Sequence, residues 1–559
     1  MAAARIARTG YATPPSLGSS VESMPAHHGS ESFFVEGEGL IGTQLGGRHG
    51  NAPDPLTESE EPTASAPQQL AAGQAPPFRF SRCGPKGDPL GPAVIKRLAI
   101  AMVEGGGGQG DVPAGYTYLG QFVDHDLTFD RTDVALGEDV TPAELVQGRS
   151  PRLDLDSLYG VEPSNPASAK FYEADGLHLK VGTTRKIGSD AAKKGHDLPR
   201  VDGERAALIP DPRNDENLIV AQTHVAMLNF HNKVVDDTSA PTTAQHFRKA
   251  RKQVTLHYQW MLRHDYLPRI VDPAVVDDVF TNGRVLVEPD AAPTDVPTMP
   301  LEFSVAAFRL GHSMVRDSYN WNRRFPGTAG SLFYMFDFSG LGGSLGGELK
   351  LLSNWLADWR RMYDFTAGGH PELAPPGGVA NVNHAKRIDT LLTDPLRNLP
   401  PGTFGGPVNI PFNDLRANLA FRNLTRAKMV KLATGPQMAQ KLANKGVAIA
   451  PLTKAQLLDG SGGAVVTGLS ASQKDALAAK APLWFYVLRE AELNGGRLTG
   501  VGARIVAETF HRAMQGSSFS IVRSKNFVPD LGRGSTFEMT DLLLHAFGDV
   551  KGLNPLGGA

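Results

Sequence analysis

A single cysteine, Cys83, is all the thiol in this chain. That excludes an intrachain disulfide, a cysteine-rich zinc site and an iron–sulfur cluster held by one chain. An excess of charge of either sign is also missing: 56 Lys and Arg stand against 58 Asp and Glu, a formal net charge of −2. Nothing in that balance calls for nucleic acid or an anionic membrane as a bulk partner. Long apolar runs are absent too. The longest, residues 481–488 (APLWFYVL), is bracketed by Lys480 and Arg489 and falls short of the roughly 18–20 residues of a membrane span. Arg5 and Arg8 come early in the chain with no apolar stretch behind them. The expectation is a protein with no Sec signal, either cytoplasmic or exported by another route.

What the chain has in quantity is glycine and proline, 61 and 41 of 559 residues. That is too much loop for a coiled coil or a regular helical array. A hydrophobic fraction of 41% supplies a sizeable core. Length alone suggests roughly three or four domains. Residues 1–75 are rich in Ala, Gly, Pro and Ser and keep no period, which predicts a disordered or draped arm. The folded part is expected over about 76–550, with 551–559 as a short tail. Helical spacing recurs over 218–235, 244–270 (with a basic outer face), 303–315, 347–362, 415–433, 482–491 and 499–514. Strand signals are few and short, at 177–181 and 331–336. The fold class is mainly α, with long Gly/Pro-rich loops such as 368–379 and 398–411 that wrap or line something.

Five segments could carry chemistry. Residues 120–128 (GQFVDHDLT) set His125 between Asp124 and Asp126, with Gln121 one helical turn earlier. A lone motif of this kind is usually a solvated turn; the functional reading is a histidine general base beside an acid. In residues 152–160 (RLDLDSLYG), Asp154 and Asp156 alternate with leucine and Ser150 lies just ahead. Alternate hard oxygens suit Ca²⁺, although without Asp126 as a partner an ordinary half-buried strand is the better reading. Residues 211–217 (DPRNDEN) open a helix, where acids and Asn are ordinary capping residues. Arg213 is harder to place there, since a cation at that end is disfavoured. His224 and His231, seven apart on that helix, read as structural. Residues 303–315 (FSVAAFRLGHSMV) hold His312 after Gly311, with Arg309 one turn earlier. Such a histidine is more often a core residue than an axial haem ligand. Finally, Asn423, in 422–426 (RNLTR), is out of place in an apolar run unless it bonds something buried.

Taken together and in this order, these segments resemble the animal-type haem peroxidases, the superfamily of myeloperoxidase, lactoperoxidase and peroxinectin, and its bacterial members most. The resemblance spans about residues 78–548, including PLWFYVLREAE and GVGARIVAETFHRAM near the end. It implies one large helical domain around a buried haem b, in place of several domains. It implies that His125 is the distal histidine, Gln121 its neighbour and Arg213 the distal arginine. His312 matches the proximal iron ligand, Asn423 the residue bonded to that ring, and Arg309 and Arg426 the arginines near the haem propionates. Asp126, Ser150, Arg152 (through its carbonyl), Asp154 and Asp156 match a calcium loop. Asp124 and Glu216 match the carboxylates that form ester links to haem.

The implied activity is oxidation of a small donor (halide, thiocyanate or phenol) by hydrogen peroxide. Leu119 stands where many relatives have tryptophan. Asn217 stands where myeloperoxidase has methionine, so a sulfonium link is unavailable, and Asp156 replaces a Ser or Asn ligand. Residues 308–311 contain no tyrosine, which disfavours the fatty-acid oxygenase branch. Two alternatives stay open: a peroxinectin-like adhesive protein, hinted at only by Lys86–Gly87–Asp88, and a non-haem metalloprotein.

Overall fold

The computed structural model describes residues 78–132, 137–188, 195–399 and 414–557. The expected N-terminal arm lies outside these residues, as does most of the loop 398–411. Buried apolar side chains from Phe80 to Leu553 form one continuous cluster. Around it run α1 (Pro92–Ala101), α2 (Gly115–Leu127), α3 (Leu218–Asp236) and α4 (Thr243–Met261). The helical series continues with α5 (Pro273–Asn282), α6 (Gly311–Met314) and α7 (Leu419–Met429). It ends with α8 (Gly435–Asn444), α9 (Leu483–Leu493), α10 (Gly500–Gly516) and α11 (Met539–Phe547). Strands among the described residues are short; β1 (Gln109–Pro113) pairs antiparallel with β2 (His384–Lys386).

Helix α3 is the hub. It is buried along nearly its whole length, and α2, α4 and α11 all pack on it. A helix apolar on every side belongs in a core. Its start is fixed by Asn217, whose Oδ1 accepts from the N–H groups of Ile219 and Val220, satisfying two of the donors that a helix N-terminus leaves over. Helix α4 does not stop at Met261: a π-helical turn, Leu262–Tyr266, carries it into Leu267–Ile270. Such a turn shifts the faces that follow it and recurs at functional sites. Helix α6 abuts α2, and these two elements bring the first and fourth sequence motifs face to face.

Several sequence expectations are met and several are corrected. Helices at 218–235, 244–270, 482–491 and 499–514 are present within a few residues. Residues 303–315 are not one helix but three short turns, Leu301–Ser304, Ala307–Leu310 and α6, because the backbone at Ala306 leaves the helical region (φ −136°, ψ −74°). Residues 347–362 form only short 3₁₀ turns. Gly346 and Gly347 have positive φ, and Trp355 is stacked between Phe325 and Phe338 at ring-centroid distances of 3.7 and 4.0 Å. The expected strand at 331–336 is instead a helix, Leu332–Asp337, capped by the Ser331 hydroxyl, and residues 177–181 contribute only an isolated bridge at Leu179.

Candidate active site

A cavity between α2 and α6 encloses about 510 Å³ of space not filled by protein atoms, part of it open to solvent. Gln121 and Asp124 come from α2, Phe308, Arg309, Gly311, His312 and Met314 from the turns on the other wall, and Tyr266 from the π-helical turn. A Cβ added to Gly311 would meet nothing within 4 Å, whereas one added to Gly120 would collide with the Tyr266 hydroxyl. Glycine at 120 is therefore what lets Tyr266 close that side of the cavity. A larger open cleft between α4 and residues 523–530 is lined by lysines and contains none of the candidate residues.

On the α2 side His125 is fully buried. Its Nδ1 lies 2.8 Å from Asn214 Oδ1, and its Nε2 has no hydrogen-bond partner and lies 4.0 Å from Glu216 Oε2. Burial and then the Arg213 cation push its pKa down to about 3, so the imidazole is neutral at physiological pH. Asp124 is raised by burial despite the Arg309 and Arg213 charges. Gln121 Oε1 accepts from Asn217 Nδ2 at 3.0 Å, while its Nε2 is buried without a partner.

Arg213 is the candidate whose surroundings differ most from expectation. It is absent from the cavity lining. Its Nε and Nη2 bond the two carboxylate oxygens of Asp211, each at 2.7 Å. The same Nη2 donates to the carbonyls of His125 (2.9 Å) and Thr128 (2.8 Å). The guanidinium also lies over the Phe129 ring at 4.3 Å. A cation on the last carbonyls of a helix is electrostatically favoured, so Arg213 braces the end of α2 that carries His125. Burial would raise the Asp211 carboxyl, but Arg213 and Arg149 together hold it well below the usual carboxylate range.

Across the cavity, His312 is buried and neutral, its pKa driven well down by burial and then by Arg309. Its Nδ1 lies 2.8 Å from Asn423 Nδ2, and Asn423 Oδ1 is buried without a partner. Turning that amide by 180° puts the stranded acceptor on Nδ1–H, the arrangement an imidazole needs when Nε2 binds a metal. The amino-acid pattern 422–426 thus finds its buried partner. Trp484 stands edge-on to the His312 ring at 6.1 Å and donates its indole N–H to the Arg309 carbonyl. Arg309 donates Nε to the Ser304 carbonyl and lines the cavity. Arg426 is not in the lining; its Nη2 is bonded to buried Asp130 at 2.6 Å.

The calcium-loop candidates are only partly assembled. Asp126 accepts from the N–H groups of Leu155 (3.2 Å) and Ser157 (3.3 Å), so the loop docks on the residue after His125. Leu155 holds a left-handed backbone, φ 60°, that few side chains adopt. Asp154, however, takes the Ser518 N–H and hydroxyl, and Asp156 lies 3.5 Å from the Arg251 guanidinium. Ser150 Oγ and Arg152 Nε are buried without a hydrogen-bond partner. Among the described residues no three His, Cys, Asp or Glu side chains form a metal-holding group. No helix among them is long and apolar enough to cross a membrane. Lys86–Gly87–Asp88 is tied into the fold, Gly87 N–H to the Lys431 carbonyl and Asp88 to Lys480.

Sequence reasoning missed Asn214, Asn217, Asp211 and Tyr266. The first three sat in plain view in DPRNDEN but read as capping residues. Tyr266 carried no signal, because a regular helical period does not describe the π-helical turn that presents it.

The family model for animal haem peroxidase matches residues 111–332. Thyroid peroxidase of Mus musculus is 30% identical over 190 residues, covering 31% of this chain and 20% of that protein. A peroxidase-like protein of Margaritifera margaritifera is 28% identical over 114 residues, 20% of this chain and 14% of its own length. The chain thus matches about a fifth or less of the length of these curated relatives. Among solved structures, peroxidase A from Dictyostelium discoideum has the same fold at a TM-score of 0.55 and 14% identity, covering 89% of this chain and 98% of that one. A fatty acid alpha-dioxygenase from Arabidopsis thaliana shares the fold nearly as well, with a TM-score of 0.53, 14% identity, and coverage of 94% and 86%. The segment that resembles animal haem peroxidase, residues 111–332, carries His125, Asp126, Arg213 and His312, and of these His312 lines the cavity.

Proposed function

We propose that the chain is a haem-dependent peroxidase that reduces hydrogen peroxide and oxidises a small donor, with residues of about 76–550 acting as one domain around the cofactor. One observation carries the reading. Two buried, neutral histidines sit on helices that pack together, α2 and α6, His312 lining the cavity and His125 one turn from its lining residue Gln121. His312, oriented by Asn423, would hold the haem iron through Nε2. Arg309 would meet a propionate, and Asp124, in the cavity lining, with Glu216 would be the carboxylates for ester links. Open space beside Gly311 and the partnerless Gln121 Nε2 suit that occupant. Bound haem would supply a metal centre able to accept oxygen from peroxide.

The chain's own part is proton handling. His125 takes the proton from one peroxide oxygen at Nε2 and returns it to the other, a general acid–base role typically worth about 10²–10⁴-fold. Arg213 holds the backbone of His125 in place through its bond to that residue's carbonyl. Ca²⁺ in the loop 150–156 would replace Arg251 as the charge facing Asp156 and take the stranded Ser150 hydroxyl. Chelation is then expected to loosen His125 and slow the peroxide step; full activity and an unchanged spectrum after exhaustive chelation would exclude it. The visible spectrum of the purified protein tests the whole reading. A Soret band that shifts with peroxide and disappears in His312→Ala is expected, and a colourless protein that takes up no haem refutes it. Haem that extracts freely into acid after peroxide treatment would exclude the ester links.

A further inference from the structure

We propose that Asn214 and His224 form a relay that fixes the tautomer of His125, making Asn214 a positioning residue for the proton transfer. The inference rests on the distal role assigned to His125. An asparagine amide has two unlike ends: Oδ1 only accepts and Nδ2 only donates. Oδ1 lies 2.8 Å from His125 Nδ1, so that nitrogen carries its hydrogen. Nδ2 lies 3.0 Å from His224 Nδ1, so that nitrogen is bare and the hydrogen of His224 is on Nε2. The direction of the amide therefore leaves a lone pair on His125 Nε2, the nitrogen that is buried without a hydrogen-bond partner and is needed to accept a proton. Reversing the amide would place hydrogen on Nε2 and remove the base.

The relay requires His224 to be neutral, and burial drives its pKa down to about 3. A protonated His224 would turn an N–H toward the amide N–H. All three groups sit on fixed elements. His125 is on α2, His224 is on the second turn of α3 and edge-on to Phe122 of α2 at 5.8 Å, and Asn214 lies in the 3₁₀ turn Pro212–Asp215, capped by the Asp211 carboxylate. Orientation of an imidazole by the group behind it is the logic of catalytic triads, there with an acid and here with an amide.

The test reads the tautomers directly. In haem-loaded protein with ¹⁵N-labelled histidine rings, held in the diamagnetic ferrous carbonyl state, His125 is expected as Nδ1–H and His224 as Nε2–H. The signals are assigned from His125→Ala and His224→Phe. His125 found as Nε2–H, or as an even mixture, overturns the relay. Asn214→Leu should scramble the His125 tautomer and slow the Soret change on mixing with peroxide by about tenfold or more. Asn214→Asp, which accepts from both rings, should keep His125 as Nδ1–H, reverse His224 to Nδ1–H and restore the rate to within a few-fold of wild type. A merely structural asparagine would not reverse His224. If His125→Ala abolishes the peroxide step while Asn214→Leu stays within twofold of wild type, the relay alone is wrong. If His125→Ala reacts like wild type, the distal reading itself is wrong.

Discussion

Asn217 does two jobs with the two ends of one amide, and substitution can separate them. Its Oδ1 caps α3 through the N–H groups of Ile219 (3.1 Å) and Val220 (3.0 Å). Its Nδ2 holds Gln121 Oε1 at 3.0 Å, and the residue is fully buried. Serine caps a helix as well as asparagine does but is too short to reach Gln121. Asn217→Ser should therefore keep the cap and strand the Gln121 carbonyl, at a cost of about 1–3 kcal/mol. Asn217→Ala should lose the cap as well, adding about 1 kcal/mol. Because the stranded atom belongs to Gln121, replacing that residue with leucine should relieve part of the loss. The double variant Asn217→Ser with Gln121→Leu is expected to be less damaged than the sum of the singles by about 0.5 kcal/mol or more. Urea denaturation of the haem-loaded proteins, followed by far-UV circular dichroism and compared at equal m-value, gives all four numbers. Additivity within about 0.3 kcal/mol would show that the two side chains are not coupled. A serine variant as unstable as the alanine variant would show that capping is not what Asn217 contributes.

Three further outcomes follow from particular contacts. Gly120→Ala places a methyl group on the Tyr266 hydroxyl and should cost about 1–3 kcal/mol by overpacking. Adding Tyr266→Phe should recover most of it in a thermal melt, and no recovery would mean the clash lies elsewhere. Glu490 is buried against the N-terminus of α10, where it accepts from Val501 and Gly502; burial raises its pKa to about 8 in spite of those bonds. A carboxyl raised on folding leaves stability intact below its unfolded value near 4.5 and removes it as pH climbs toward about 8, by at most about 1.4 kcal/mol per pH unit. Glu490→Gln should gain on wild type steadily across that window, and a constant difference would refute the assignment. Asp211→Asn leaves the buried guanidinium groups of Arg149 and Arg213 without their shared carboxylate. A loss of about 3–5 kcal/mol is expected, and a change below about 1 kcal/mol in denaturation would show that other groups carry those charges.

Amino-acid order was enough for the main helices, because a buried helix such as α3 writes its environment locally as an unbroken apolar period. It was also enough to nominate His125, His312 and Asn423, since polar residues inside apolar runs ask for a buried partner. It could not supply the partners. Residues 303–315 keep a helical period, yet the chain breaks at Ala306 and places Arg309 and His312 on separate turns. Residues 347–362 keep one too, yet the stacking of Trp355 between Phe325 and Phe338 overrides it. These are contacts between segments distant in sequence, and no local window contains them. The same holds for charge. The sequence marked Arg213 as a cation at the wrong end of a helix, and only the tertiary structure showed it at the right end of another, on the last carbonyls of α2. What the sequence by itself determined is the set of polar residues that must be buried and the helices that carry them. Which atom of each faces which neighbour, down to the end of the Asn214 amide that meets His125, was decided only when those helices packed, because hydrogen bonds are directional and the backbone period is not.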